Sequence, residues 1–268
     1  MKTKEIEKKA NLIRQDIINM LAEAGSGHSA GSLGMADIFA TIYFSGIVNH
    51  KLKDPDRDRI ILSNAHICPA MYSALARSGY FPIQELLTLR KIDSRLQGHP
   101  HKGSLPGIES SGGPVAHNSS VAAGMAYVLK LENKPSKVYC LVGDGEQQEG
   151  QTWEIAMFAA KYKLNNLIFI MDRNTIQIEG ETEEIMPIEP IRDKYRAFNW
   201  NVIEIDGHNI KDIIKAIKKA KKSKKPIMII AKTIPGKGVS FIQGKHAWHG
   251  RAPTKEQAKK ALKELRNE

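Results

Sequence analysis

The residues with the clearest chemical potential are Gly143, Asp144 and Gly145, which directly follow the apolar run 138–142. A short apolar run with β-branched residues is typical of a buried parallel strand. A glycine after such a strand lets a phosphate group approach the backbone and the N-terminus of the next helix. The triplet therefore predicts a diphosphate-binding turn at the end of a strand, outside the core. An ordinary turn stays open as the alternative, because Asp and Gly are common turn residues.

Asn174 lies thirty positions after Asp144 and follows a second apolar run, 167–171. Ligands of open parallel sheets bind beyond the carboxyl ends of the strands, so Asp144 and Asn174 are expected to converge on one ligand. A carboxylate and an amide carbonyl are hard oxygen ligands, and diphosphate oxygens, a backbone carbonyl and water can complete the octahedron that Mg²⁺ requires. The spacing predicts a magnesium site.

Strand-like and helix-like segments alternate along the chain, which predicts a doubly wound α/β fold with a mostly parallel sheet flanked by helices. No Pro/Ser/Gly-rich linker divides the sequence, so residues 1–268 are expected to form a single domain. The periodicities predict helices at 6–24, 35–45, 119–131, 151–162, 210–222 and 254–267, and strands at 58–62, 138–142, 167–171, 201–205 and 227–231.

Composition favours an enzyme of the cytoplasm. The 268 residues include no run of eighteen apolar ones, and the N-terminal segment lacks the apolar centre of a signal peptide. Cys68 and Cys140 are the only cysteines and form no metal-type pair, and the histidines lack the spacing of a structural zinc site. We expect neither a membrane nor a secreted location.

The formal net charge is +11, and the segment 218–225 is rich in lysine. Such a run raises nucleic acid as a partner. Ile210, Ile213 and Ile217 form an apolar stripe at helical spacing, so the lysines are better explained as the solvated C-terminal end of a helix. We expect no nucleic-acid partner, while an acidic protein partner stays open.

Four further segments combine a histidine with glycine or other small residues in what we expect to be loops: 26–34, 62–66, 97–100 and 245–250. Together with Gly143–Gly145 and Asn174, these segments resemble the amino-terminal part of transketolase, a thiamine diphosphate enzyme. The matches are in the family's order and extend over most of the chain. The resemblance implies the thiamine diphosphate-binding fold of that family, known as the PP fold.

The resemblance also implies roles for individual residues. The counterparts of His28, His66, His99 and one of His246 and His249 face the thiazolium ring, the diphosphate and the sugar. We assign catalysis to the first three and to His249, and cofactor binding to His66 and His246.

Other matches to the family concern the cofactor, the metal and the subunit interface. Those expected at the cofactor are Gly113, Pro114, Val115 and Glu146, besides the Gly143–Gly145 triplet and Asn174. The backbone carbonyl of Ile176 is expected to ligate the metal together with Asp144 and Asn174. Glu149, at the start of the helix that Gly145 is expected to open, corresponds to a glutamate that couples two active sites across a subunit interface. The family pattern is not complete, because Ala116, His117 and Asn118 replace a Gly-Gln-Gly and Ser29-Ala30 replaces a Pro-Gly.

The resemblance stops at the first domain of a transketolase, and the pyrimidine-binding and C-terminal domains are absent. It therefore implies one subunit of a split transketolase that is active only with a carboxy-terminal partner subunit, as an α2β2 assembly. Its reaction would move a two-carbon glycolaldehyde unit from a ketose phosphate to an aldose phosphate, as in the pentose phosphate pathway. The implied cofactors are thiamine diphosphate and Mg²⁺, for which Ca²⁺ or Mn²⁺ can substitute. Three alternatives stay open: a deoxyxylulose phosphate synthase, a transketolase half for an unusual sugar, and a binding domain without catalysis.

Overall fold

The computed structural model of the protein describes residues 2–267. Its centre is a sheet of five parallel strands in the order β1-β2-β3-β5-β4. The strands are β1 (Arg59–Leu62), β2 (Val138–Gly143), β3 (Leu167–Arg173), β4 (Asn201–Asp206) and β5 (Ile227–Lys232). The α/β prediction is confirmed, and each of the five predicted strands is present within two residues of its expected bounds.

Helices cover both faces of the sheet. They are α1 (Thr3–Ala24), α2 (Ser29–Gly34), α3 (Ala36–Phe44), α4 (Cys68–Arg77), α5 (His117–Leu131), α6 (Gly150–Lys161), α7 (Thr182–Ile185), α8 (Ile191–Ala197), α9 (Ile210–Ala220) and α10 (Lys255–Arg266). All six predicted helices are present. The expectation of a loop over residues 26–34 is wrong for α2, where small side chains allow a tightly packed short helix. The sequence reading also missed α4, α7 and α8.

The central strands are buried because both of their faces carry apolar side chains. Along β2, Tyr139 and Leu141 pack into a core shared with α1, α3, α4 and α9. Val138, Cys140 and Val142 alternate with them and face a second core, formed with α5, α6 and the segment around α8. This alternation of buried residues produces the three-layer arrangement of a doubly wound fold.

The ends of the terminal helices follow the expected physical chemistry. Gly25 adopts the left-handed conformation that ends α1. Thr254 caps α10 as predicted, and Gln257 completes a capping box with it. Lys218 and Lys222 are exposed at the end of α9, whose apolar stripe is buried, as expected for a solvated helix end.

Within residues 2–267, the helices are too short or too polar to cross a membrane.

The register of the sheet places the chemically interesting strand ends side by side. Gly143, the last residue of β2, pairs with Asp172 of β3. The turn after β2 and the loop after β3 therefore leave the sheet at the same edge, so Asp144 and Asn174 can serve one ligand.

Candidate active site

A pocket of about 410 Å³ lies at the carboxyl edge of the sheet. Its walls include the turn 143–149, the end of β3 with the loop 176–179, and a group of histidines from distant parts of the chain. The histidines in the lining are His28, His66 and His249. Residues far apart in sequence thus meet where the parallel sheet directs ligands.

Asp144 is held by donors on both carboxylate oxygens. Oδ1 accepts a hydrogen bond from the Gly145 amide at 2.8 Å. Oδ2 accepts from the Thr175 amide at 2.7 Å and from the Arg173 guanidinium at 3.0 Å. Two donors occupy Oδ2 and one occupies Oδ1, so Oδ1 keeps a lone pair for a cation.

The expectation that Asp144 lies outside the core is wrong, since the residue is only 2 % exposed. Burial raises the pKa of Asp144, and the Thr175 amide and the charge of Arg173 act in the opposite direction. Gly145 was expected to open the helix that follows β2. Residues 145–148 instead form a single 3-10 turn, and α6 begins at Gly150.

Asn174 is oriented by a second buried carboxylate. Its Nδ2 donates to Asp172 Oδ2 at 2.7 Å, and its Oδ1 accepts from the Ile176 amide at 3.0 Å. Thr233 donates its hydroxyl to the other oxygen of Asp172. Burial raises the pKa of Asp172 to about 7, and the nearby charge of Asp144 acts in the same direction.

These contacts suit a hard divalent cation. Asn174 Oδ1 has a second lone pair, Asp144 Oδ1 has a free one, and Ile176 lines the same pocket. Oxygen donors of this kind are those that Mg²⁺, Ca²⁺ and Mn²⁺ take. Across residues 2–267, no three His, Cys, Asp or Glu side chains form a metal-binding group. Among the three expected ligands, Asp144 is the one carboxylate.

The three pocket histidines contact one another. The ring centroid of His28 lies 4.9 Å from that of His66 and 6.0 Å from that of His249, and the His66 and His249 centroids are 5.2 Å apart. Burial lowers the pKa of His28 to about 4, that of His66 well below its usual range and that of His249 as well. All three imidazoles are therefore neutral at pH 7.

Neutral rings can both donate and accept hydrogen bonds, as a polyhydroxylated substrate requires. The Nδ1 atoms of His28 and His249 are buried and have no hydrogen-bond partner within residues 2–267. Buried polar atoms normally find partners, so these two atoms indicate positions where a ligand would bind.

Local packing explains why the rings meet. His28 is the N-cap residue of α2, and His66 lies in a 3-10 turn directly after β1. A Cβ on Gly31 of α2 would lie 2.9 Å from the Ile67 side chain, so only glycine lets these two turns approach this closely. His249 follows the 3-10 turn 246–248.

Two predicted histidines lie outside the pocket lining. His99 is exposed, and burial together with the charge of Arg90 lowers its pKa. The charges of His99 and Arg90 both act on His28, which places them close to the histidine cluster. His246 is also exposed, so of the two candidates near the C-terminus it is His249 that the structure brings to the pocket.

Glu146 lines the pocket, but its carboxylate binds protein donors. Oε1 accepts from the Ala116 amide at 2.8 Å and Oε2 from the Gly143 amide at 2.9 Å, and Ser63 and Ser119 donate to Oε1 as well. This buried carboxylate therefore fixes the loop 113–116 against the end of β2. A direct contact of Glu146 with the cofactor stays a prediction.

The remaining predicted residues lie around this loop and the turn. Val115 lines the pocket, whereas Gly113 and Pro114 are outside its lining. Ala116 has φ 64°, a left-handed conformation at the position where the family pattern has glycine. Glu149 is exposed at the start of α6 and also lines the pocket.

The sequence reading missed four residues of the site. Asp172 and Arg173 hold the two expected metal ligands, Arg90 lies near the histidines, and the buried Oδ1 of Asn64 has no partner within residues 2–267. Asp172 and Arg173 directly precede Asn174, and Asn64 lies two residues before His66. Each of these positions could have indicated the residue from the sequence. Arg90 lies in an irregular segment and has no such signal.

Known proteins are similar to this chain over nearly its full length. The family described as "Transketolase, thiamine diphosphate binding domain" matches residues 6–266. A 6-deoxy-6-sulfo-D-fructose transketolase subunit of a Clostridium species is 42% identical over 98% of this chain and 97% of its own length. An apulose-4-phosphate transketolase subunit from Actinobacillus succinogenes is 38% identical, with 98% and 97% covered.

Among solved structures, the transketolase of Campylobacter jejuni superposes with a TM-score of 0.91 at 34% identity. That match covers 99% of this chain and 43% of the Campylobacter chain. The protein thus spans less than half the length of the solved transketolase and almost all of the two subunits.

Proposed function

The chain belongs to the transketolase family, and we propose that it is the amino-terminal, thiamine diphosphate-binding subunit of a split transketolase. With a second polypeptide, it would transfer a two-carbon unit from a ketose phosphate to an aldose phosphate. The observation that carries this proposal is the position of three neutral histidines beside Asp144 and Asn174 in one pocket.

Each part of the pocket has a role in this reaction. Asp144, Asn174 and the Ile176 carbonyl would hold Mg²⁺ and, through it, the diphosphate, and the turn at Gly145 gives the phosphates access to the backbone. Thiamine diphosphate, when bound, supplies the electron sink that breaking a carbon–carbon bond next to a carbonyl requires.

The histidines serve the sugar and its protons. The unpaired Nδ1 atoms of His28 and His249 would bind hydroxyl groups or the reacting oxygen. Because the low pKa values keep these rings neutral, a nitrogen can take up a proton in one step and return it in another. His99, at the exposed edge, would contact the far hydroxyls of the sugar.

The surface supports a partner subunit. Large apolar side chains are exposed on α5, on α6 and directly after α6, including Leu131 at 63%, Met157 at 54% and Tyr162 at 41%. The rings of Tyr127, Phe158 and Tyr162 contact one another across the two helices. An apolar surface of this kind is typical of an obligate interface, here with the subunit that carries the pyrimidine-binding and C-terminal domains, in an α2β2 assembly.

The names of the similar subunits bear on the choice of sugar. The two similar subunits are named for 6-deoxy-6-sulfo-D-fructose and apulose 4-phosphate, which supports the unusual-sugar alternative over an ordinary pentose phosphate pathway enzyme. The match to transketolases disfavours a deoxyxylulose phosphate synthase, and the unpaired histidine nitrogens disfavour a binding domain without catalysis. The two free, buried thiols of Cys68 and Cys140 are consistent with a cytoplasmic location.

Replacing Asp144 with asparagine tests the proposal. D144N keeps the volume and one oxygen acceptor but removes the charge that the cation needs. We expect Mg²⁺-dependent affinity of the assembled complex for thiamine diphosphate, measured by calorimetry, to fall by at least about tenfold, the effect of losing about 1.5 kcal/mol or more from a charged contact. D193N, at an exposed site in α8, is the matched control. Unchanged affinity in D144N would remove the metal assignment.

A further inference from the structure

The Arg173 side chain, at the end of β3, joins the Asp144 carboxylate to a separate stretch of chain. Its Nη1 donates to Asp144 Oδ2 at 3.0 Å. Its Nη2 donates to Glu183 Oε1 at 2.7 Å and to Glu189 Oε1 at 3.0 Å. The Arg173 side chain is only 8% exposed, so these contacts are made with little water nearby.

The stretch that Arg173 reaches is residues 175–190, which we call the wall segment. Ile176, Gln177, Ile178 and Glu179 of this segment line the pocket. Other contacts also hold the wall segment. The Thr175 amide donates to Asp144 Oδ2 at 2.7 Å, and Gln148 Nε2 donates to the Met186 carbonyl at 2.8 Å and to Gln177 Oε1 at 3.0 Å. Glu183 and Glu189 are partly exposed, so Arg173 is the buried end of the connection.

We propose that Arg173 is a positioning residue that fixes Asp144 for the divalent cation and couples this carboxylate to the wall segment. The proposal rests on the proposed function. Arg173 touches neither cofactor nor substrate in this account, and acts through Asp144 and the two glutamates.

The geometry separates this role from simple repulsion of the cation. Arg173 and the Thr175 amide both occupy Asp144 Oδ2, and the free lone pair is on Oδ1. The guanidinium and a cation would therefore use different oxygens. Asp144, Glu183 and Glu189 carry more negative charge than one guanidinium neutralises, so the site still attracts a divalent cation.

The shape of the side chain matters as well as its charge. A guanidinium presents a planar set of donors that can serve three carboxylates at once, whereas an ammonium is a compact point charge. In Arg173, Nη1 serves Asp144 and Nη2 serves both glutamates. The single nitrogen of a lysine cannot take both of these positions at once, so a lysine that pairs with Asp144 should lose the connection to the glutamates.

Two measurements on R173M, R173K and R196M test the proposal. The first is the Mg²⁺-dependent affinity of the assembled two-subunit enzyme for thiamine diphosphate. The second is amide hydrogen exchange of the wall segment in the metal-free chain. Arg196 is an exposed arginine of the neighbouring α8 with a single acidic partner, Asp193, at 3.5 Å, which makes R196M the matched control.

In R173M we expect at least about a tenfold loss of affinity, as for other broken buried charge contacts, and faster exchange of the wall segment. R173K should keep part of the affinity but show the faster exchange, and R196M should match the unmodified chain in both.

Affinity in R173M equal to or above that of the unmodified enzyme would overturn the positioning role. Unchanged exchange in R173K would overturn the coupling, and this variant decides the matter if R173M does not fold. Absence of metal-dependent binding in the unmodified complex would instead count against the proposed function, and the exchange experiment would still test the coupling.

Discussion

At the scale of single residues, protonation is controlled by burial more than by neighbouring charge. Burial is the largest cause of the low pKa of His28, His66 and His249. The charges of His249 and His99 lower the pKa of His28 and of His66 further. A base with a depressed pKa is neutral in the folded protein and more readily protonated in the unfolded chain. These histidines therefore stabilise the fold less as the pH falls from about 6.5 towards the value of about 4 for His28.

The same residues give a kinetic prediction. H28A and H99A should lower kcat or raise KM for the sugar far more than they weaken thiamine diphosphate binding, because we propose that both rings bind the sugar and not the diphosphate. Steady-state kinetics and cofactor calorimetry on the assembled enzyme measure the two effects separately. H101A is the matched control, since His101 is exposed in the same loop and lies outside the pocket lining. A loss that followed cofactor affinity alone would contradict the substrate role.

At the scale of elements, the loop after β3 stores backbone strain where it meets the metal site. Thr175 has φ 66°, a conformation that is a genuine outlier for a β-branched residue. Two contacts hold it there: its amide donates to Asp144, and its carbonyl accepts from the Thr182 amide at 2.8 Å. The strain is thus a consequence of tying the loop to the carboxylate.

Glycine at this position should relieve the strain. T175G is expected to raise the free energy of unfolding by about 0.5–1 kcal/mol. It removes the left-handed penalty of roughly 1–2 kcal/mol, but glycine loses more backbone entropy on folding, which cancels part of this gain. T175V keeps the β-branched shape and should give no such gain. Urea denaturation of the metal-free chain measures both, and a T175G variant less stable than T175V would contradict this account.

Elements built on strong periodicity could be predicted from the sequence, and elements set by tertiary contact could not. The run 167–171 is apolar throughout, so β3 was readily found, and Thr254 followed by Gln257 marked the start of α10. The short helix α2 consists of small residues without an apolar stripe, and it forms because Gly31 and Gly34 pack closely on Ile67 and on the backbone at Ile234. Long-range packing of this kind leaves no periodic signal.

Some residues of the site could likewise be predicted from the sequence, and others could not. Asp144 and Asn174 follow strands, so their convergence could be predicted from the topology of parallel sheets. Which of His246 and His249 reaches the pocket depends on how residues 246–248 turn, and the structure places His249 there. The role of Arg173 could not be predicted, because its partners Glu183 and Glu189 lie in a segment without regular spacing.

At the scale of the whole molecule, the chain matches the thiamine diphosphate binding domain of the transketolase family and has an exposed apolar face on α5 and α6. Its match to 43% of the Campylobacter transketolase leaves the rest of that protein without a counterpart here. A formal charge of +11 favours association with an acidic partner, and such association should weaken at raised salt.

The most direct test of the split-enzyme account is a two-carbon transfer assay on three samples: this chain by itself, the candidate partner polypeptide by itself, and the two combined. The assay should include thiamine diphosphate and Mg²⁺, with xylulose phosphate and ribose phosphate and, in parallel, the sugars named for the similar subunits. We expect no transfer from either polypeptide alone and transfer from the mixture, because we propose that this pocket supplies only the diphosphate half of the site. Robust transfer by the purified chain alone would contradict the account.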